Sequence, residues 1–174
     1  MRDARILTWL LADPKREAAL RADQLAAVRR IAAAEGLAEI VEAQLAGMAL
    51  PRIEDHPAIA LCAASARLLT GDLDGGLRQL WQIHALILQG QSQPDFWSDV
   101  QECASAQSVT AHVSRVLRLS HHLFETPVDA YLAWQGQRSD IFFIGRLLAR
   151  NGKGEETARI LRWAFKKRAR WRRS

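Results

Sequence analysis

Hydrophobic residues recur along this chain at spacings of three and four, which is the period of amphipathic α-helices. Helix-favouring residues such as Ala, Leu, Arg, Glu and Gln dominate these segments, and no segment has the alternating β-branched pattern of a strand. The pattern predicts helices near 3–12, 22–35, 37–48, 57–70, 74–89, 94–106, 109–125, 128–135, 139–150 and 154–172. We therefore expect an all-α fold, an irregular bundle of about eight to ten short helices.

Residues that commonly begin or end helices support these boundaries. Gly36, Gly71 and Gly90 each follow a helical segment and suit the left-handed conformation that ends many helices. Ser108 and Ser139 are predicted N-caps, because a hydroxyl at that position accepts an otherwise unbonded backbone N–H.

The apolar faces of the predicted helices indicate which side chains form the core. The predicted core residues are Ile6, Trp9, Leu10, Leu25, Val28, Ile31, Ile59, Leu61, Leu80, Trp81, Ile87, Val113, Leu117, Leu123, Ile141, Ile144 and Leu147. His84 shares an apolar helix face with Leu80 and Trp81, so it is interpreted as a hydrogen-bonded core histidine.

The length of 174 residues predicts a single helical domain over 1–174, which is large enough for a substantial core. The segment 49–57, ALPRIEDHP, holds two prolines and marks a candidate subdomain boundary. No apolar run approaches the ~18 residues of a membrane span. Asp3 and Asp13 flank the first apolar stretch, and no small-residue cleavage site follows it, so we expect a cytoplasmic protein.

The two cysteines, Cys62 and Cys103, are far apart in sequence, and each lies in an Ala-rich stretch. They are interpreted as reduced, buried thiols, since ligand partners at metal-site spacing are missing. Asp72 and Asp74 form an Asp-x-Asp, interpreted as a turn in which an Asp caps the next helix rather than as a cation site. The sequence therefore predicts no metal and no cofactor.

The most distinctive segment is the basic C-terminal helix, predicted over 154–173. Eight of the sixteen residues 159–174 are Lys or Arg and none is acidic, so the other residues carry a net −3 within the chain's +5. At about 100° per residue, one arc holds the cations Arg159, Arg162, Lys166, Arg170 and Arg173. The opposite side holds Ile160, Leu161, Ala164, Phe165 and Trp171.

This charge density predicts binding of phosphate groups, either of nucleic acid or of an anionic lipid surface. The predicted polyanion-binding residues are Arg159, Arg162, Trp163, Lys166, Lys167, Arg170 and Arg173. The alternative is that the apolar side docks on the protein's own body and the charges are only solvated.

A candidate catalytic set lies in the helix predicted at 109–125. Arg115 precedes His121 and His122 at the Arg-x(4–6)-His spacing of HEPN-type ribonucleases. In that chemistry the histidine acts as acid and base, and the arginine stabilises phosphate charge. The alternative is that these side chains form an ordinary solvated or packed helix face.

Two long segments carry a family resemblance. Residues 56–87 include a Leu-Arg-x-Leu-aromatic motif at Leu77–Trp81, and residues 95–128 end in Leu-Phe-x-x-Pro-Val at Leu123–Val128. These segments, with the opening helices, resemble the helical C-terminal portion and helical lead-in of a family of uncharacterised bacterial nucleotidyltransferases. The catalytic α/β core of that family, with its Gly-Ser turn and paired Asp, is missing, since only 49–57 lies between the two parts. Gln82 also stands where that family commonly carries Asp.

The resemblance therefore implies an accessory or regulatory subunit rather than nucleotidyl transfer. Our leading hypothesis is a non-enzymatic binding or accessory protein that contacts another macromolecule, most readily a protein. The alternatives are a nucleic-acid-binding protein that uses the basic helix, a protein that binds an anionic lipid surface, and a HEPN-like ribonuclease.

Overall fold

The computed structural model describes residues 2–48, 56–135 and 139–171. Most of the candidate boundary at 49–57, and Arg173, lie outside these residues. The described residues form ten α-helices and one 3₁₀ helix, with no strand among them, so the all-α prediction is confirmed. The helices are α1 (Arg2–Ala12), α2 (Ala22–Ala34), α3 (Ala38–Leu45), α4 (Pro57–Thr70), α5 (Gly76–Gly90), α6 (Phe96–Ala106), α7 (Thr110–Phe124), α8 (Ala130–Trp134), α9 (Ile141–Leu147) and α10 (Arg159–Trp171).

The helices pack around α4 and α7, which lie at the centre of the bundle. The helix α4 contacts α5, α6 and α7, while α1 packs against both α2 and α7. Trp81, His84 and Phe124 meet in this core, with the Trp81 and Phe124 rings edge-to-face at 5.4 Å. His84 is 5 % exposed and bonds through Nδ1 to the Thr126 hydroxyl at 2.8 Å, which confirms it as a core histidine.

Most of the predicted core is buried, and three of the predicted residues are exposed. Trp9, Ile59 and Ile141 are 38, 56 and 67 % exposed, so the prediction is wrong for them. On α1 the buried side is formed by Ala4, Leu7 and Leu11, and Trp9 lies with Arg5 on the other side. Ile6, Leu25 and Ile144 are half-buried against the core.

The last two predicted helices are shorter than expected. The helix α9 ends at Leu147 rather than at 150, and α10 begins at Arg159 rather than at 154. Residues between them form a turn, in which the Asn151 side chain accepts from the backbone N–H groups of Lys153 and Glu155. An isolated bridge between Arg150 and Glu156 closes this turn.

Several predicted caps are wrong. Ser108 has φ 55°, and Val109 stands at the N-cap of α7. Asp140, rather than Ser139, precedes α9. Gly36 has the expected left-handed φ of 70°, whereas Gly71 is extended at φ −78° and ψ −175°.

Two further positions differ from the predicted caps. Gly90 is the last residue of α5, and a Cβ there would lie 2.2 Å from the Phe96 ring, so close packing explains this glycine. Asp72 Oδ1 accepts from the backbone N–H of Asp74 within the turn, and Gly75 occupies the N-cap of α5.

Candidate functional site

The basic helix α10 docks on α9 through two apolar side chains. Phe165 is 6 % exposed, and its ring meets that of Phe143 edge-to-face at 5.2 Å. Leu161 packs over Gly145, where an added Cβ would lie 3.3 Å from Leu161 Cδ1. The alternative of docking on the body is thus confirmed for part of the apolar side, but Ile160 is 83 % exposed and belongs to the outer face.

One predicted polyanion-binding cation anchors the helix through an ion pair and is only partly exposed. Arg162 Nη1 lies 2.6 Å from Glu156 Oε2, and the same carboxylate lies 3.0 Å from Nη1 of the buried Arg146. Glu156 thereby links the first turn of α10 to α9. Arg146 and Glu156 are both largely buried, so water screens the attraction between these two residues little.

The outer face of α10 carries an exposed indole among cations. Trp163 is 64 % exposed, and Lys167 Nζ lies 5.2 Å from the centroid of its ring, within cation–π range. Arg159 is exposed on the same face, and Lys166 is half-buried. Arg170 lies in the last turn of α10.

The helix α9 carries two more exposed apolar side chains. Ile141 and Phe142 are 67 and 65 % exposed. At about 100° per residue, Gly145 lies between them around α9, so they flank the place where Leu161 touches α9. The name α9–α10 surface is used for the exposed residues of these two helices, Ile141, Phe142, Arg159, Ile160, Trp163 and Lys167.

Arg115, one of the three candidate catalytic residues, is held by a structural ion pair. Its Nε lies 2.8 Å from Asp140 Oδ1, and its guanidinium lies 4.5 Å from the centre of the Phe143 ring. Arg118 Nε lies 2.6 Å from the other Asp140 oxygen, and Arg118 Nη1 donates to the Ala133 carbonyl at 2.7 Å. Because the two guanidinium groups hold the Asp140 carboxylate, it makes no capping bond to α9.

The two candidate histidines are exposed and contact different partners. His121 Nδ1 donates to the Thr126 carbonyl at 2.9 Å, and its ring meets Trp134 edge-to-face. His122 Nε2 lies 2.8 Å from Arg5 Nη2 of α1. The guanidinium that contacts His122 is therefore that of Arg5, while Arg115 contacts Asp140.

His122 lies on an open groove of about 510 Å³ between α1 and the end of α7, here called the α1–α7 groove. Its lining residues are Arg5, Ile6, Thr8, Trp9, His122, Leu123 and Glu125. Arg16 holds the Glu125 carboxylate through two bonds, of 3.0 and 2.9 Å, and lies over the Trp9 ring at 5.1 Å. Burial, together with the charges of Arg5 and His121, lowers the pKa of His122 below its usual value.

Arg5 and Trp9 were not predicted as functional candidates, although the sequence carries a signal for them. The two residues are four apart, so they share one face of α1. Because Arg5 is charged, this face of α1 is expected to be exposed to solvent, and Trp9 on the same face is expected to be exposed with it. Ile141 and Phe142 carry no such signal, since an apolar residue in the first turn of a helix is usually covered.

The two cysteines, distant in sequence, lie on the packed helices α4 and α6. Both are free; Cys62 is buried and Cys103 is half-buried. Burial, with the hydrogen bond that the Cys62 thiol donates to the neighbouring Cys103 and the repulsion between the two thiolates, raises the pKa of Cys62 to about 12. A thiol with so high a pKa has little thiolate character, so Cys62 is a structural residue.

Within the described ranges, no group of three or more His, Cys, Asp or Glu side chains is placed to hold a metal ion. In the same residues, no helix combines the length and apolar character needed to cross a membrane. Comparison with protein-family models, curated proteins and solved structures found no match to the chain. The resemblance to the helical portion of nucleotidyltransferases stays a prediction.

Proposed function

We propose that this chain is a cytoplasmic, non-enzymatic accessory protein that binds a protein partner through the α9–α10 surface. The observation that carries the proposal is the exposure of Trp163 and Ile160, at 64 and 83 %, beside the cations of α10. Each large apolar side chain left in water forgoes about 1.5–3 kcal/mol of burial, so a partner that covers several of them gains substantially. Exposed apolar groups rimmed by charge are typical of interaction sites.

The mixture of side chains favours a protein partner with an apolar stripe and flanking carboxylates. Ile141, Phe142 and Ile160 offer apolar area and no hydrogen bonds, which suits another apolar surface. Arg159 and Lys167 supply the positive rim, which favours an acidic partner and speeds encounter. Since Arg162 is paired with Glu156, the rim carries fewer available charges than the eight Lys and Arg of residues 159–174 suggest.

A matched pair of variants tests the proposal. The protein is used as bait in a lysate of its source cells, beside Ile160→Ser/Trp163→Ala and the control Ile59→Ser, which alters an exposed isoleucine on α4. We expect one defined protein to be retained by the wild type and by Ile59→Ser, and to be lost with the double variant. With purified components, Trp163→Ala should weaken binding by about 30-fold, as for an interface hot spot. Equal retention by all three baits would contradict the proposal.

Nucleic-acid binding is the second candidate, and the Trp163 indole beside Lys167 favours it. An exposed ring next to a cation can stack on an unpaired base, at about 1–3 kcal/mol per base. Fluorescence anisotropy with a labelled single-stranded oligonucleotide tests this candidate. Binding should weaken steeply with salt, and Arg159→Gln should lower the slope by about one unit. Affinity that is independent of salt would exclude it.

Point variants are preferable to deleting residues 159–174 in these experiments. Phe165 is buried against Phe143, so the deletion would expose the core face of α9 as well as remove the cations. A loss of binding after deletion would therefore have two causes, whereas Trp163→Ala and Arg159→Gln change only exposed side chains.

A further inference from the structure

The α1–α7 groove combines an apolar floor with one uncompensated positive charge. Ile6, Leu123 and the partly exposed Trp9 supply the apolar walls. The volume of about 510 Å³ lies within the range of small-molecule sites, of about 300–1,000 Å³. A groove with this volume and lining suits a small apolar body.

Two charged groups line the groove, and only one of them is paired with an opposite charge. Glu125 is neutralised by the two bonds from Arg16, so it presents little free negative charge. Among the residues that the structure describes, no carboxylate lies within ion-pair distance of Arg5, whose guanidinium donates instead to the Nε2 of His122. A neutral imidazole satisfies one N–H but leaves the positive charge of Arg5 in place.

We propose that the α1–α7 groove binds a small organic carboxylate with a flat apolar body. The carboxylate binds the guanidinium of Arg5, because a guanidinium can donate two parallel hydrogen bonds to the two oxygens of a carboxylate. The apolar body lies on Trp9 and the neighbouring Leu123. A single carboxylate matches the net charge of the groove, whereas a phosphate dianion would bring more negative charge than Arg5 alone can neutralise.

Binding is coupled to the protonation of His122. The charged groups that face its ring are Arg5 on α1 and His121 on its own helix, with the Arg16–Glu125 pair across the groove. An incoming carboxylate offsets the positive charges that disfavour imidazolium. It therefore raises the pKa of His122, and binding takes up protons. Affinity should rise as the pH is lowered through the titration range of this histidine.

The probe for the test is 2-naphthoate, with 2-naphthamide as its neutral isostere. Binding is followed by nuclear magnetic resonance of the tryptophan indole N–H signals, with the Trp9 signal assigned through Trp9→Phe. We expect saturable shifts of the Trp9 signal with naphthoate, and about tenfold weaker binding of naphthamide because the charge-assisted hydrogen bonds are lost.

Two variants make the result specific to Arg5. Arg5→Gln should bind naphthoate as weakly as the amide, whereas Arg67→Gln removes the same charge from the exposed face of α4 and should leave affinity unchanged. Circular dichroism confirms that both variants are folded. Equal affinity for naphthoate and naphthamide, full binding by Arg5→Gln, or no saturable shift at millimolar naphthoate would each overturn the proposal. None of these results bears on the α9–α10 surface.

Discussion

Arg118 and Arg5 lie on the packed helices α7 and α1 and meet opposite surroundings. Arg118 is 9 % exposed and makes bonds to Asp140, Ser114 and the Ala133 carbonyl. Arg5 is exposed and donates to a neutral histidine at the edge of a groove. The fold uses the first charge to hold α8 and α9 in place. It leaves the second available to a ligand.

The helix α10 shows the same contrast between a side chain held in an ion pair and side chains that face solvent. Arg162 is fixed by Glu156 near the buried Arg146, while Trp163 and Arg159 face solvent. An arginine that suggests polyanion binding in the sequence can therefore either hold two helices together or face solvent in the structure. Whether a carboxylate lies within reach decides between them, since a paired buried cation is costly to expose.

The largest expected effect tests whether the buried pair is structural. Asp140→Asn leaves two guanidinium groups, one of them almost fully buried, without a counter-charge, so we expect a loss of about 3–5 kcal/mol in the free energy of unfolding. Urea denaturation followed by circular dichroism measures it. Arg5→Gln is the control and should change stability by less than about 0.5 kcal/mol. Similar losses in the two variants would remove the distinction between the two arginines.

A second prediction compares the buried His84 with the exposed His122. Burial lowers the pKa of His84 to about 4, so the folded state resists a proton that the unfolded state accepts near pH ~6.5. Stability from this residue is complete above the unfolded pKa and falls as the pH drops toward the folded pKa. The loss is about 3 kcal/mol by the linkage relation.

Urea titrations across the acid range test this on the wild type, His84→Gln and His122→Gln. The His84 variant should lose the acid-dependent decrease that the wild type shows, beyond that of the carboxylates. His122→Gln should keep most of it, since His122 is exposed and its charged form is largely solvated in the folded state. A pH profile of His84→Gln parallel to the wild type would show that His84 does not titrate as described.

A third prediction compares the Glu156 anchor with a solvent-exposed ion pair. Glu156→Gln removes the charge shared by Arg146 and Arg162, and should cost about 2 kcal/mol and speed hydrogen exchange in α10. Asp23→Asn breaks the exposed pair with Arg21 and should have no measurable effect. Unchanged exchange in α10 after Glu156→Gln would mean that Phe165 and Leu161 alone hold the helix.

The smallest expected effect is a difference in labelling between the two cysteine thiols, which is measured without changing the stability of the protein. At mildly alkaline pH, a thiol reagent should label at most one cysteine of the folded chain, since the Cys62 thiol is buried and its pKa is about 12. The reactive one should be Cys103, as Cys103→Ser would show by removing the labelling. Rapid labelling of both in the native state would contradict the burial of Cys62.

Helix positions were predictable because they depend on local spacing. All ten predicted α-helices are present, and the buried residues Leu61, Leu80 and Leu117 follow directly from the three–four period. Their ends were harder to predict, since Asn151 and the Arg150–Glu156 bridge form a turn through contacts that propensity does not describe. The short 3₁₀ helix Pro14–Ala19 was not predicted, although Asp13 caps it and Pro14 begins it.

The sequence by itself determined the helical period, the all-α class and the concentration of cations near residue 159 and beyond. Only the tertiary structure decided which charges remain available. Arg5 and His122 are 117 residues apart and meet only because α1 packs on α7. Arg115 and Asp140 meet across the connection through α8. Helical periodicity is a local property of the chain, whereas the partner of a charge depends on which helices pack together, and that is why the candidate sites emerged only from the fold.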